Sequence, residues 1–496
     1  MATGGGEPAL QSKSVCVVGS GVAGLAAARE LRREGHVAQS WSRAVTSAGS
    51  GCMTPGPTPR TCSALVRMPR SIYACLRLIS PREAMGFSDF EFFPRDGEGR
   101  VPRRFLVHGE LHCYLRDFYD AFGLMDVVRL NTTVLRVAPL PTSMTMIRQW
   151  TVRSVWRLGT TEDDDVTQEE EEEVFDAVVV ATGHYLQPML PSDIEGMAEW
   201  TRRQLHSHSY RTPEPFLGEA VVVVGCGESG KDIALDLYRV AKEVHLAASS
   251  EATAATPAMS RMLANHGDML RLHSRIHHLH ADRRVEFADG SSVVADTVIY
   301  CTGYTYSFPF LGTAGAVTID SDGYVVGPLF EHMFLLSLVP SLAPSLSFVG
   351  VARKVLILWF FEVAAWWIAQ VLSGRRALSA EEEMLQSVVE HLCAREATGV
   401  ARKHTHNIAG IESQKMYEFG EKYSDLAPLE ECKKELLMSS IASMMANMET
   451  FHDRACDDIE IVRKGLRGWL ALAAQAQAKS MAFAVDVEAD VQAMAN

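Results

Sequence analysis

The chain has 496 residues, of which 47% are hydrophobic and 22% charged, with a formal net charge of −14. That length suits two or three domains, or one composite fold, with an ample core. The acidic balance argues against a nucleic-acid backbone binder, which needs clustered Lys and Arg. Ten cysteines without a C-x-x-C pair point to a reducing compartment and against a redox-active disulfide.

The first residues, "MATGGGEPALQSKS", carry neither the basic nor the apolar region of a secretory signal, so a cytoplasmic location is expected. "VCVV" (15–18) reads as a short buried strand. "GSGVAG" follows, then "LAAARELRREG", built from good helix formers at helical spacing and closed by Gly35. Gly19, Gly21 and Gly24 therefore form G-x-G-x-x-G between a strand and a helix. The first glycine allows the tight turn, the second lets backbone approach a pyrophosphate, and the third lets helix and strand pack closely. With Ser20, Val22 and Ala23 they make up a dinucleotide-binding loop on a helix N-terminus.

The next stretch breaks this pattern. Gly35 to Arg82 contains six Arg and no Asp or Glu, although the chain carries 61 acids. Val37 to Arg70 shows no clean strand or helix period. The acid that should close the second strand and hold a ribose hydroxyl is missing, and its window reads Ser42, Arg43, Ala44. Such local disagreement between strong flanks marks a special or damaged site. We read 37–70 as a replaced segment, such as a frame-shifted stretch, with genuine divergence as the competing account.

Residues 71–93 are aromatic-rich, with breakers at Pro81 and Gly86. Residues 109–124 form an amphipathic helix, and "VVRLNTTVLRVA" and "WTVRSVWRL" are strand-like. The acidic run "TEDDDVTQEEEEE" (161–173) reads as a solvated loop. "FDAVVVATGHY" (175–185) is a buried strand ending at Thr-Gly. "EAVVVVGCGESGKDIALDLYRVAKEVHLAA" (219–248) repeats the strand, glycine turn, helix and strand, and "ADTVIYCTGYTYSFPFL" (295–311) repeats the Thr-Gly strand end. Gly225, Cys226, Gly227, Glu228, Ser229 and Gly230 are the second loop. Two such loops imply two different dinucleotides, naturally a flavin and a nicotinamide. Gly225, Gly230 and Lys231 approach a P-loop pattern, but Asp232 stands where the Mg²⁺-binding hydroxyl is required. Beyond Gly230 lie Ala248, Ser249, Ser250 and Glu251, which do not decide between NAD and NADP by spacing.

"VLILWFFEVAAWWIAQVL" (355–372) is 18 residues long with Glu362 near its middle. A central acid is costly in a bilayer, so a buried helix is expected, with a monotopic membrane contact as the lesser reading. Residues 413–482 read as long helices whose Met are core fillers. "LHSRIHHLH" (272–280) has four His but no Cys or acid at ligand spacing within it, so no metal site is expected there.

"WTRRQLHSHSY" (200–210) resembles the flavin-containing monooxygenase fingerprint F-x-G-x-x-x-H-x-x-x-Y. Trp200, His206 and Tyr210 match, while Arg202 replaces the glycine. "ATGHY" and "YCTGY" resemble that family's Thr-Gly strand ends. "LISPREAMGFSDFEFF", "HSHSYRTPEPF" and "SFPFL" resemble its plant branch, the S-oxygenases of methylthioalkyl glucosinolates. The resemblance covers about 10–36 and 71–410. It implies an α/β chain with two Rossmann-like domains, an FAD domain interrupted by an inserted NADPH domain, and a helical C-terminal extension. The expected divisions are 1–190 (FAD domain, first part), 191–305 (NADPH domain), 306–410 (FAD domain, second part) and 411–496 (extension).

The implied chemistry is that NADPH reduces FAD, O₂ is activated on the flavin, and one oxygen passes to a soft nucleophile, a thioether sulfur or an amine nitrogen. His206 and Tyr210 are read as structural elements of an interdomain loop, and no catalytic residue is assigned. The resemblance further implies an Asn near the flavin, but its position here is Ile79. Arg202 takes the place of the fingerprint glycine, where special backbone torsions are expected. Two alternatives stay open: a flavin-deficient, nucleotide-binding regulatory member, and another two-dinucleotide flavoenzyme such as an NADPH oxidase or reductase. Expected partners are the small substrate and O₂, with no nucleic acid and no transmembrane span. Peripheral contact with the endoplasmic reticulum and the oligomeric state are left open.

Overall fold

A computed structural model describes residues 10–43, 71–93, 104–140, 149–157, 168–249, 256–313, 315–336, 343–355, 357–408, 413–452, 460 and 463–471. Strand β1 (Ser14–Val18) sits inside a seven-stranded sheet. It pairs in parallel with β2 (Val37–Trp41) on one side and with strand Ala177–Val180 on the other. Leu346–Phe348 extends the parallel run, so a segment from late in the chain completes the sheet begun at its start. Both faces are covered, which is why β1 and 177–180 are near-continuous apolar runs. Val15 and Val17 face the helices, while Cys16 and Val18 face Trp41, Trp150 and Phe175.

Helix α1 (Val22–Arg33) starts at Gly21 without a side-chain cap and ends with Arg32 and Arg33 in its last turn. Gly35 takes a left-handed φ of 93°, and the His36 N–H reaches the Leu31 carbonyl at 2.9 Å, closing the helix.

Two sequence expectations fail here. The first five residues of Val37–Arg70 form β2 with a full parallel register to β1. Its polar Gln39 and Ser40 hide the period, but the Ser40 hydroxyl turns in to the Gly19 carbonyl at 3.1 Å. Residues 44–70 lie outside the described residues. The end of the acidic run is also not a loop. Gln168–Phe175 is a strand paired antiparallel with Trp150–Arg157, which in turn pairs with Thr132–Pro139. Composition suggested solvent, whereas the strand sits in a full antiparallel ladder with Arg153 opposite Glu172, and Arg129, on a short strand beside β2, lies 2.5 Å from Glu173.

The second unit is a five-stranded parallel sheet ordered Arg203–His206, Thr297–Tyr300, Ala220–Val224, Glu243–Ala247, Leu270–His273. Helix Glu228–Leu237 follows its glycine turn. A three-stranded meander, Ile276–Leu279, Arg284–Phe287 and Ser292–Val294, lies in the same unit. Further helices, Ser413–Tyr423 and Glu431–Ala446, form the extension. The Ser440 hydroxyl of the latter donates to the Ile79 carbonyl at 2.6 Å. Just beyond it, Glu449 accepts from Asn265 of the second unit at 2.8 Å, so the extension touches both units.

The apolar stretch near Glu362 is helix Trp359–Ser373, buried along nearly its whole length and packed on α1. Among the described residues no helix is long and apolar enough to cross a membrane. Glu362 is fully buried and meets the Arg29 guanidinium of α1 at 2.5 Å. Arg29 also reaches Glu30 and Asp89, each at 2.7 Å, and lies over Phe118 at 4.9 Å. The Ser88 N–H and hydroxyl both donate to Glu362 at 2.8 Å. Removing one partner of such a pair leaves an uncompensated buried charge. Glu362→Gln is therefore expected to lower unfolding stability by about 3–5 kcal/mol, read as a shift of the urea midpoint at unchanged slope.

Candidate functional site: two dinucleotide cradles

The two glycine turns are built alike. The Gly19 N–H donates to Trp41 O and the Ala181 N–H to Val18 O, at 2.8 and 2.9 Å. In the second unit the Gly225 N–H donates to Ala247 O and the Cys301 N–H to Val224 O, both at 2.8 Å. Each turn thus locks the first strand to the ends of its two parallel neighbours. Gly19 and Gly225 have φ of 113° and 108°, and a Cβ on them would lie 2.5 Å from Ala181 O and 2.6 Å from Cys301 O. A Cβ on Gly24 or Gly230 would lie 1.8 or 1.9 Å from the carbonyl oxygen of Gly19 or Gly225. Gly21 and Gly227, by contrast, face nothing within 4 Å among the described residues.

Those two open faces sit at uncapped helix N-termini, where free N–H groups and a partial positive charge favour an anion. Val22 and Ala23 form the first turn of α1, and Glu228 and Ser229 that of the second helix. Ser20 is buried beside the first turn, and among the described residues neither its hydroxyl nor that of Thr182 on the adjoining strand end has a hydrogen-bond partner. Buried polar atoms without partners and a cradle that a Cβ would fill are what a bound dinucleotide requires. Cys226 in the second loop is buried, which pushes its thiol up to about 11 and keeps it neutral. Asp232, the residue that departs from the P-loop pattern, is held by the Tyr73 hydroxyl at 3.0 Å, and burial raises its carboxyl to about 6.

The carboxyl ends of both sheets converge. Gln187–Pro188, just past the first Thr-Gly end, pairs antiparallel with Tyr304–Thr305, just past the second. Tyr185 meets Tyr304 edge-on at 5.3 Å between ring centres. The Arg353 guanidinium donates to Tyr304 O at 2.8 Å and to the Tyr306 hydroxyl at 3.1 Å, and lies 4.4 Å above the Tyr306 ring. Burial raises Tyr304 and Tyr306 to about 12. His184 donates from Nδ1 to the Gly350 carbonyl at 3.0 Å, leaving Nε2 as a bare acceptor without a partner. Its pKa is lowered to about 4, chiefly by burial. Ligands in open α/β sheets bind at such strand-end crevices. Tyr304 was legible in the second Thr-Gly repeat, but nothing in the sequence marked Arg353 as its clamp.

The fingerprint residues anchor the segment between the units. His206 Nδ1 accepts from the His208 N–H at 3.0 Å, so Nε2 carries the proton and donates to Gly303 O at 3.0 Å. Burial lowers His206 to about 4. The Tyr210 hydroxyl donates to Asp236 on helix 228–237 at 2.7 Å. Trp200 packs in the core under the meander. Arg202 lies outside the left-handed backbone region, so the expected need for glycine torsions does not arise there. Ile79 lies on strand Arg77–Pro81 beneath the C-terminal extension. At the end of β2 the chain passes directly into Ser42 and Arg43, so no carboxylate stands at the expected ribose position.

The fold and its paired cradles define a two-dinucleotide flavoprotein oxidoreductase. The flavin-binding monooxygenase-like family matches residues 12–279 and 266–419. Flavin-containing monooxygenase FMO GS-OX-like 8 of Arabidopsis thaliana is 44% identical, over 92% of this chain and 95% of its own length. Flavin-containing monooxygenase FMO GS-OX5 of the same plant is 37% identical, over 91% and 94%. The structure of S-allyl-L-cysteine S-oxygenase from Allium sativum superposes with a TM-score of 0.76 at 36% identity, covering 94% of this chain and all of that one. The chain belongs to the flavin-containing monooxygenase family. It is an NADPH-dependent flavin monooxygenase with FAD and NADPH as its cofactors.

Gly21→Ala and Gly227→Ala meet no protein atom and should leave the fold intact while filling the space offered to a pyrophosphate. The first is expected to weaken FAD binding and the second to raise the KM for NADPH, each by roughly tenfold or more. Gly24→Ala and Gly230→Ala collide with backbone and should fail to give soluble protein. Flavin titration, NADPH kinetics and soluble yield separate the two classes. Restoring the ribose acid as Ser42→Asp adds a charged hydrogen bond worth about 1.5–3 kcal/mol. The FAD dissociation constant should fall tenfold to over a hundredfold in the same titration.

Proposed function

We propose that this monooxygenase places one oxygen atom on the sulfur of a small thioether, with methylthioalkyl glucosinolates as one candidate class. The observation that carries the reading is the corner where the two strand ends meet, whose titratable tyrosines and histidines are neutral and whose charged group, Arg353, is a cation tied to Tyr304 O and the Tyr306 hydroxyl. Tyr304, Tyr306, His184 and His206 are all uncharged at neutral pH. A thioether enters such a corner without losing a charge. An alkylamine arrives as an ammonium and pays a desolvation cost. The names of the relatives, and the garlic S-oxygenase above all, support the same choice.

The roles of the chain's residues follow from their placement. Ser20 to Gly24 hold the FAD pyrophosphate, and Cys226 to Gly230 that of NADPH. His206 and Tyr210 fix the joining segment so that the two strand ends face one another. Arg353 orients Tyr304 and Tyr306, and His184 Nε2 offers one acceptor to whatever occupies the crevice. When bound, the flavin would pass two electrons from NADPH to O₂ and so activate it, one oxygen atom of O₂ going to the sulfur and the other leaving as water. We place residues 1–190 and 306–410 in the FAD domain and 191–305 in the NADPH domain. The residues from 411 on form the extension. Action in the cytoplasm, with at most peripheral membrane contact, fits the cysteine usage.

The test is NADPH oxidation with methylthioalkyl substrates under ¹⁸O₂. Substrate-stimulated turnover should yield one labelled sulfoxide per NADPH consumed, with alkylamines giving little stimulation. NADPH consumption that yields only hydrogen peroxide would overturn the reading.

A further inference from the structure

The geometry points to a divalent-cation site on the second unit, formed by Glu195, His277 and His278. The three residues offer ligand atoms that all lie within 4.8 Å of one another. Adjacent residues of a regular strand point to opposite faces, so neighbouring histidines should not share a ligand. Strand Ile276–Leu279 is not regular. Its register against Arg284–Phe287 shifts between Ile276 and His278, the signature of a β-bulge. Ile276 and Leu279 are both buried in the core beneath the meander, three positions apart. The two residues between them, His277 and His278, are thereby left on the outer side together.

The carboxylate comes from far away in the chain, which is why the histidine run alone gave no sign of a site. Glu195 lies alongside the strand in a parallel bridge with His278. Its N–H donates to His277 O at 3.1 Å and its carbonyl accepts from the Leu279 N–H at 2.8 Å. Gly196 follows with φ of 75°, and a Cβ there would lie 2.1 Å from Leu279 O, so this close approach admits only glycine. Ile194 and Met197 pack into the same core cluster and fix the segment from both sides. The Glu195 carboxylate already meets His278 Nδ1 at 3.3 Å. The His278 ring stacks on His280 at 4.1 Å, and His280 is braced by Glu286 at 2.9 Å.

Two imidazoles and a carboxylate select a borderline first-row cation such as Zn²⁺, Ni²⁺ or Cu²⁺ over Mg²⁺ or Ca²⁺. Three protein ligands leave the remaining positions to water, as in open zinc sites. Bonds of about 2.0–2.2 Å set tetrahedral donors roughly 3.4 Å apart, a separation the Glu195–His278 pair already has at 3.3 Å. The exposed His277 completes the set by rotation of its side chain. A bound ion would staple the segment just upstream of Trp200–Tyr210 to the meander.

The probe is Zn²⁺, titrated calorimetrically into the FAD-loaded full chain with a non-chelating reductant. One ion per chain is expected, with a rise in thermal midpoint. His277→Ala and Glu195→Gln should each weaken binding by roughly tenfold or more while leaving basal NADPH oxidation unchanged. Co²⁺ should give the ligand-field absorption of a nitrogen- and oxygen-bound ion without thiolate charge-transfer bands. The proposal fails if no saturable binding tighter than about 0.1 mM is seen. It also fails if the His277→Ala/His278→Ala double variant titrates like the parent, or if the Co²⁺ complex shows thiolate bands.

Discussion

Both proposed dinucleotide cradles depend on backbone lying against backbone at two glycine turns. In each unit the turn rests on the strand end that precedes a Thr-Gly pair, at a separation a single Cβ would destroy. The contact is steric and repulsive. It offers little binding energy of its own, but it sets where the helix N-terminus points and leaves Gly21 and Gly227 facing open space. The parallel hydrogen bonds from Gly19 and Gly225 to their neighbouring strands then hold that geometry. Attraction enters one layer out. Arg29, halfway along α1, is gripped by Glu362, Glu30 and Asp89, so the helix that presents the first cradle cannot slide relative to the late helix behind it. Burial raises the Glu30 carboxyl, while Arg29 and Arg33 pull it down; the cluster balances desolvation against ion pairing.

What was legible in the sequence follows the same division. Steric requirements write themselves into residue type. Glycines that no other residue can replace, apolar runs for strands buried on both faces, and a repeated Thr-Gly end were all readable. So was the buried character of the Trp359–Ser373 helix, because an acid near its middle excluded a span. Interactions whose partners lie far apart were not readable. Glu362 and Arg29 are separated by 333 positions, and Glu195 and His278 by 83. Arg353 reaches Tyr304 and Tyr306 from another part of the fold. The β2 strand was missed for a related reason. Its polar Ser40 is satisfied by a carbonyl of the glycine turn, a tertiary fact that no local period contains. The acidic strand Gln168–Phe175 is the converse case, where composition spoke for solvent but the run takes its place in an antiparallel ladder against Trp150–Arg157.

The convergence of the two units gives the Trp, His and Tyr of the fingerprint structural partners. His206 is fixed in one tautomer by two backbone contacts, and Tyr210 is tied to the helix of the second cradle. Both are committed donors whose protons are already spoken for. Their spacing places one anchor on the Thr-Gly end and one on the cradle helix, so the joining segment is held at both ends of the second dinucleotide site.

The missing ribose acid can now be set in proportion. A dinucleotide held by this cradle would meet helix N–H groups, two hydroxyls without a partner among the described residues and the open face of Gly21, none of which calls on the residues that follow β2. The ribose contact is one hydrogen bond among these, and its loss costs about 1.5–3 kcal/mol rather than the whole site. β2 itself is in register with β1 up to its last residue. The departure therefore begins after the strand has done its structural task. Its expected effect is on the affinity for the flavin, while the strand and glycine turn that would orient the cofactor keep their register, so occupancy and chemistry are expected to be separable in this chain.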